Sequence, residues 1–229
     1  MILRRVKRKL YKALHPVEGE IWMLHRVAER RSEEPNQRVL EVTPDWLEKT
    51  ILEYRKKGYT FVPIGNLPKH GKWVCLTLDD GYRDNYTLAH PLLKRLGVPF
   101  TVYVTTGFID NRLPMWWYPD ERLGISTGEL KAMDADPLCT IGAHTVSHPK
   151  LDTLTLEQQR EEIAQSKQTL EALLGHEVRH FSFPHGAHNE DTLAICRELD
   201  FQTIVAAWGG PVRRGANHDV LPRINITEP

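Results

Sequence analysis

The sequence predicts an α/β fold in a single domain, with its strands running parallel. Three observations carry that prediction. Short apolar runs alternate with longer stretches in which apolar residues recur at helical spacing. Capping and turn residues separate the two kinds of segment. The chain has 229 residues, 41% hydrophobic and 26% charged, which suits one domain with a full-sized core. No repeat, low-complexity stretch or obvious linker breaks the pattern. Such alternation places helices over a parallel sheet, and periodicity alone allows either a closed barrel or an open doubly wound sheet.

The elements follow in order. Residues 21–24 read as the first strand. Thr43 is a helix N-cap with Pro44 at the first helical position; Leu47, Ile51 and Tyr54 share one face, and Gly58 ends the helix. Residues 60–64 form a short strand and residues 73–78 a longer one. Residues 85–96 are helical around Pro91, Gly97 stops them, and residues 100–104 return as a strand. Thr155 and Gln158 make a capping box that opens the clearest helix; Leu156, Ile163, Leu170 and Leu174 line it, and Gly175 closes it. Residues 181–183 and 203–206 are further strands, with a helix over 191–199 between them.

Thirty basic and 30 acidic side chains give a formal net charge of zero, which argues against nucleic-acid binding through a broad basic field. No apolar run approaches the ~20 residues of a spanning helix. The three cysteines, Cys75, Cys139 and Cys196, lack zinc-finger spacing. Cys75 lies in an apolar run and Cys196 on an amphipathic helix, so both read as buried thiols, and the odd count suits a reducing compartment. Residues 1–20 read as a basic N-terminal arm, with six basic side chains among the first twelve residues and no signal-peptide core. The expectation is a cytoplasmic protein whose arm is either solvated or laid on the anionic inner face of the membrane.

Three segments carry chemistry. Two adjacent carboxylates, Asp79 and Asp80, stand at the end of the apolar run Trp73-Val74-Cys75-Leu76-Thr77-Leu78, and Gly81 follows. Side chains alternate along a strand, so a carboxylate pair within one would bury a charge. At a strand's exit the chain can turn and both can reach one site; a plain polar turn is the other reading. His144 and His148 lie four residues apart between Gly142 and Pro149, on a loop with about one helical turn. Two histidines and a carboxylate form a catalytic-zinc ligand set with a position open for water; two surface histidines would give the same spacing. The third segment, Phe181-Ser182-Phe183-Pro184-His185-Gly186, is a short strand running into a turn that can aim backbone N–H groups into a pocket.

Together, in this order, these segments resemble the NodB-type polysaccharide deacetylases, carbohydrate esterase family 4, over residues 21–229. Thr77-Leu78-Asp79-Asp80-Gly81 is similar to the family's Thr-Phe-Asp-Asp-Gly motif, and His144-Thr145-Val146-Ser147-His148 to its His-(Ser/Thr)-x-x-His motif. Pro184-His185-Gly186 stands where Pro-Tyr-Gly is frequent, and Leu221-Pro222-Arg223-Ile224 looks like the late segment that returns to the active site. The resemblance implies a distorted (β/α) barrel of about seven parallel strands. It implies that Asp80, His144 and His148 bind a divalent metal, zinc first, with Co2+, Ni2+ or Mn2+ also suited to the set. Asp79 is then the general base that activates a metal-bound water, and the backbone near Pro184 and His185 contributes an oxyanion contact. The late Leu-x-His motif that supplies the acid in many members has no histidine here, and His218 lies in a nearby polar loop. Some branches carry a histidine on the first strand instead, and Ile21-Trp22-Met23-Leu24-His25 looks like that version, so His25 takes the acid role. Arg223 orients Asp79 or holds substrate.

The loop over 109–126 carries Trp116 and Trp117, which either stack on sugar rings or pin the loop to the barrel; Trp208 is a further candidate for the same rim. The expected function is removal of N-acetyl or O-acetyl groups from an amino-sugar-containing glycan or glycan precursor. The alternatives are a glycan-binding barrel without catalysis and a hydrolase of a non-sugar amide or imide.

Overall fold

Trp73–Leu78 is buried at every position, as a strand flanked on both edges and covered on both faces must be. In the computed structural model, which describes residues 15–119, 121–215 and 219–229, this strand is the fifth of eleven. The strands are β1 (Val17–Leu24), β2 (Arg26–Val27), β3 (Glu41–Val42), β4 (Thr60–Phe61), β5 (Trp73–Leu78), β6 (Phe100–Val104), β7 (Cys139–Ala143), β8 (His180–Ser182), β9 (Thr203–Gly209), β10 (Val212–Arg213) and β11 (Leu221–Asn225). The α-helices are α1 (Pro35–Arg38), α2 (Pro44–Lys56), α3 (His90–Leu96), α4 (Thr127–Asp134), α5 (Leu156–Leu174) and α6 (Glu190–Glu198).

Seven strands close a ring in the order β1, β5, β6, β7, β8, β9, β11 and back to β1, and every pairing in it is parallel. This is the expected barrel. β4 adds parallel to the start of β5, and β10 pairs antiparallel with the start of β1. Strand alternation sorts the side chains into two layers. Ile21, Trp73, Cys75, Tyr103, Val205 and Leu221 pack together inside the ring. Trp22, Leu24, Val74, Leu76, Leu78, Val102 and Phe181 face outward into the larger core shared with Leu47, Ile51, Ile163 and Ile195 of the helices. Burying a side chain of this size contributes about 1.5–3 kcal/mol, so the ring is braced on both faces.

The helix signals hold where they were strongest. Thr43 accepts from the Trp46 N–H, and Thr155 and Gln158 form the reciprocal cap of α5, which ends at Gly175 with φ 79°. Pro91 has no N–H to give, and the turn before it, Asn85–Ala89, widens to accommodate it before α3 begins. β1 starts at Val17 because β10 pairs with Val17 and Gly19, so residues 17–20 extend the strand beyond the apolar run at 21–24. The segment 60–64 holds strand geometry only at Thr60–Phe61 and then turns at Ile64–Asn66. Among the described residues no helix is long and apolar enough to cross a membrane. Most of the basic arm, residues 1–14, lies outside the described residues.

Candidate active site

Thr77 follows Cys75 on the inward face of β5, and the next inward position is Asp79. Asp79 extends the ladder, its N–H donating to the Leu24 carbonyl at 2.9 Å. Asp80 would then point out of the barrel. It does not, because Asp80 and Gly81 adopt φ of 74° and 78°, turning the chain at once. Aspartate tolerates the left-handed region and glycine enters it without strain. Both carboxylates therefore sit at the mouth of the barrel, 3% and 2% exposed.

The two carboxylates have different partners. Asp79 is gripped by Arg223, which projects inward from β11 and is itself 1% exposed. Arg223 Nη1 donates to Asp79 Oδ1 at 2.7 Å and Nη2 to Oδ2 at 2.6 Å. Its remaining donors reach Thr77 Oγ1 at 2.9 Å, Ser182 Oγ at 2.8 Å and the Ala206 carbonyl at 2.6 Å. All five guanidinium N–H groups have acceptors. Burial pushes the Asp79 carboxyl up, but the Arg223 charge, His144 and the Arg223 hydrogen bonds outweigh it and hold the group below its ordinary value.

Asp80 faces the histidines. His144 leaves the end of β7, and its Nδ1 lies 2.7 Å from the Ser182 carbonyl. A carbonyl only accepts, so Nδ1 carries the proton and Nε2 keeps its lone pair. That Nε2 is 3.5 Å from Asp80 Oδ1, and His148 Nε2 is 3.3 Å from the same oxygen. Asp80 Oδ1 is buried and has no hydrogen-bond partner. The three ligand atoms lie within 4.8 Å of one another. An orphaned carboxylate oxygen facing two imidazole nitrogens is a donor set with a place for a divalent cation. Burial drives His148 down to about 3; Asp80 pulls it back up, and His144 and His185 push it further down, so its imidazole is neutral and free to act as a ligand. Burial also works against the charged form of His144, but Asp79 and Asp80 prevail and raise it.

The loop holding the pair is not helical. Thr145 and His148 take φ of 65° and 64°, and the His148 N–H donates to Thr145 Oγ1 at 3.1 Å. The loop is stitched to the exit of β6, with the Gly107 N–H donating to the Val146 carbonyl at 2.8 Å. A Cβ at Gly107 would meet that oxygen at 2.5 Å, so this approach requires glycine. From α5, Glu162 accepts the N–H groups of Val146 at 2.8 Å and Ser147 at 2.9 Å, together with the Ser147 hydroxyl.

These groups open into a cavity of about 710 Å³ that also includes His25, His185, Trp116, Trp117 and Trp208. His25 lies just past β1, and its carbonyl accepts from Asn85 Nδ2 at 2.9 Å. His185 adopts φ 56° within the turn Pro184–Gly186, and its ring sits 4.6 Å from that of His148. Pro184 is buried in that turn and does not line the cavity. The two tryptophans differ in setting. Trp117 is pinned, its Nε1 donating to Tyr82 Oη at 2.6 Å and its ring 5.0 Å from His148. Trp116 beside it is 67% exposed. His218 lies outside the described residues.

The motifs contain Thr77 and Ser182 but gave them no role, and they did not point to Glu162 or Asn85. Alternation does mark the first two: each is a polar residue between apolar neighbours, Leu76-Thr77-Leu78 and Phe181-Ser182-Phe183, and so faces into the ring. Behind them a second network fixes the rim. Arg26 donates to Asp84 at 2.7 Å and Glu41 at 2.9 Å, and Tyr118 donates to Glu41 at 2.8 Å.

Comparison with known proteins places this geometry. A sequence profile of the polysaccharide deacetylases matches residues 66–204, the stretch that carries both carboxylates, both histidines and the Pro184–Gly186 turn. YxkH of Bacillus subtilis (strain 168), whose own assignment as a polysaccharide deacetylase is provisional, is 26% identical over 213 residues, 93% of this chain and 72% of that protein. A poly-beta-1,6-N-acetyl-D-glucosamine N-deacetylase of Staphylococcus aureus (strain MSSA476) is 24% identical over 192 residues; the match takes in 79% of this chain and 60% of that relative's length. The solved structure of the Streptococcus pyogenes deacetylase PplD in complex with acetate is similar at a TM-score of 0.78 and 27% identity, covering 93% of each chain. With a closed seven-strand parallel ring, the Asp-Asp and His-x-x-x-His motifs at its mouth and a profile match across them, this chain belongs to the NodB-type polysaccharide deacetylase family.

Proposed function

We propose that the protein is a metal-dependent hydrolase that removes acetyl groups from an N-acetylated amino sugar in a glycan. The observation that carries this reading is the division between the carboxylates. Asp79 is locked to Arg223, while Asp80 offers an unsatisfied oxygen toward His144 and His148. Metal binding and proton transfer need different carboxylates, and this site supplies one for each. Asp80, His144 and His148 would hold a divalent ion, Zn2+ first, which when bound would lower the pKa of water and polarise the acetyl carbonyl. Asp79, kept ionised by Arg223, takes the proton as the water oxygen bonds to the carbonyl carbon. The backbone at His185 donates to the developing oxyanion. His25 gives a proton to the nitrogen as the C–N bond breaks, releasing acetate and an amine. Trp116 holds the sugar face beside the pinned Trp117, and an O-acetyl ester would be cleaved by the same groups. The name of the Staphylococcus aureus relative supports an N-acetylglucosamine polymer as the substrate class.

The test is acetate release from N-acetylglucosamine oligosaccharides by protein of known metal content, beside Asp79→Asn and His144→Ala. Release that depends on metal, is lost in Asp79→Asn with metal retained, and is lost with the metal in His144→Ala is the expected result. An Asp79→Asn protein that has lost its metal would show the two carboxylate roles to be misassigned. Glycan bound by metal-loaded protein and left acetylated would favour a binding barrel.

A further inference from the structure

The rim of the cavity holds a charge that the reaction does not use. Glu34 precedes α1 and lines the cavity beside Asn36 and Gln37. It occupies the N-cap position of α1, yet its side chain makes no capping hydrogen bond. Its backbone is fixed: the Glu34 N–H donates to Ser32 Oγ at 3.1 Å, and its carbonyl accepts from the Gln37 and Arg38 N–H groups. Gln37 Nε2 ties the same turn to the aromatic loop, donating to the Trp117 carbonyl at 3.1 Å. The turn is thus held while the carboxylate stays exposed. Among the described residues lining the cavity none is Lys or Arg; the field of Lys150 reaches His185 from outside that lining. The aromatic part of the cavity carries Trp116 and Trp208, 67% and 63% exposed. Indole faces attract cations as well as sugar C–H faces. A rim carboxylate and open indoles around a cavity whose lining has no Lys or Arg favour a cationic sugar at the rim and disfavour one bearing phosphate or carboxylate there.

We propose that Glu34 determines specificity by binding the ammonium group of an already deacetylated amino sugar next to the unit being hydrolysed. This rests on the deacetylase reading. The cavity, about 710 Å³, falls in the range that takes drug-sized ligands, larger than one N-acetylhexosamine, so a neighbouring unit has room. Hydrolysis adds water across the acetamide C–N bond, releases acetate and leaves an amine that takes up a proton. The product of one turnover is then the recognition group for the next, and deacetylation extends in blocks.

The test uses N-acetylglucosamine oligosaccharides of one length in three forms: fully acetylated, with one free amine, and with that amine capped as an anionic N-succinyl group. Acetate release gives kcat/KM for each at slightly acidic pH, in low and high salt. The wild type is expected to favour the amine form over the neutral one by about 2–5-fold, the range of an exposed ion pair, and to act most slowly on the succinyl form. High salt shrinks both differences, and in Glu34→Gln the amine-to-neutral ratio falls to about one. Equal rates on the amine and neutral forms in the wild type, or an amine preference that survives Glu34→Gln, overturns the proposal. Release from none of the three forms refutes the deacetylase reading and takes this proposal with it.

Discussion

Replacing Arg223 tests how the base is kept ready. Its five donors meet five acceptor contacts inside a barrel that leaves it 1% exposed. Lysine brings three donors from one point and no planar fork, so Arg223→Lys leaves at least two of those contacts unmade. Hydrogen bonds to charged groups contribute about 1.5–3 kcal/mol each, giving a loss of about 3 kcal/mol or more. Arg223→Met removes the charge and strands a buried carboxylate, a change of about 3–5 kcal/mol. For a domain of this size each kcal/mol moves Tm by about 2–4 °C, so Arg223→Met falls by about 6–20 °C. The pH dependence has a definite sign. In the wild type Asp79 is held below its unfolded value, so its contribution is present above about pH 3.9 and is lost as pH falls through the folded value. Without Arg223, burial dominates and raises the folded value. The Asp79 contribution is then present at acid pH and lost as pH rises through that raised value. Urea unfolding in chelator between about pH 4 and 7 reads this difference, and kcat/KM against pH reads its catalytic counterpart, an acid limb displaced upward. An Arg223→Met protein whose stability rises with pH as the wild type's does, with an unmoved acid limb, would refute the reasoning.

Three further expectations follow from other parts of the site and its frame. His25→Ala should lower turnover on an N-acetyl sugar by about 10²–10⁴-fold with metal retained, and should spare an aryl acetate, whose leaving group departs without a proton; equal losses on both substrates would remove His25 from the acid role. Glu162→Ala releases Val146 and Ser147, so metal affinity by calorimetric titration should fall about 10–100-fold, and an unchanged value would mean that Thr145 and Gly107 hold the loop alone. His180, 7% exposed and bound to Thr203 Oγ1 at 2.7 Å, is pushed down to about 4 by burial and by Arg179. It therefore contributes stability that is present above about pH 6.5 and lost as pH falls toward 4, close to 3 kcal/mol when complete; urea titrations at pH 5 and 7 should show a shallower acid loss in His180→Gln, and parallel losses would contradict it.

The barrel could be read because its strands are buried on both faces and its helices carry caps. Trp73–Leu78 and Phe100–Val104 are continuous apolar runs, and Thr155 with Gln158 marks the start of α5 from side chains alone. Less visible were pieces whose order comes from pairing. Residues 17–20 alternate Val and Gly with half-buried glutamates and become strand because β10 and the start of β5 lie beside them. The helix α4 begins with a capping box at Ser126 and Glu129, but its eight residues are too few to display a helical repeat. Closure of the ring depends on β1 pairing with both β5 and β11, contacts between distant parts of the chain that no local pattern encodes.

At the site, the motifs named the residues, and the structure shows why neighbours in sequence are unlike in environment. Asp79 and Asp80 are one peptide bond apart, and strict alternation would send them to opposite faces. The left-handed turn at Asp80 brings both to the same mouth, where the ring supplies a different partner for each. Asp79 meets a guanidinium whose register on β11 is set by strand pairing, and Asp80 meets imidazoles set by a loop stitched to β6 and α5. Neither partner is close in sequence to the carboxylates. Thr77 and Ser182 had a signal in strand alternation, because a polar side chain aimed into a barrel must find an acceptor or a donor. Arg223 supplies the donor for each: it donates to Thr77 and Ser182 as well as to Asp79. The polar interior is thus one connected network that ends at the base. Substituting Thr77 or Ser182 should act on turnover through Arg223 and Asp79, whereas metal content should respond to Asp80 and the two histidines.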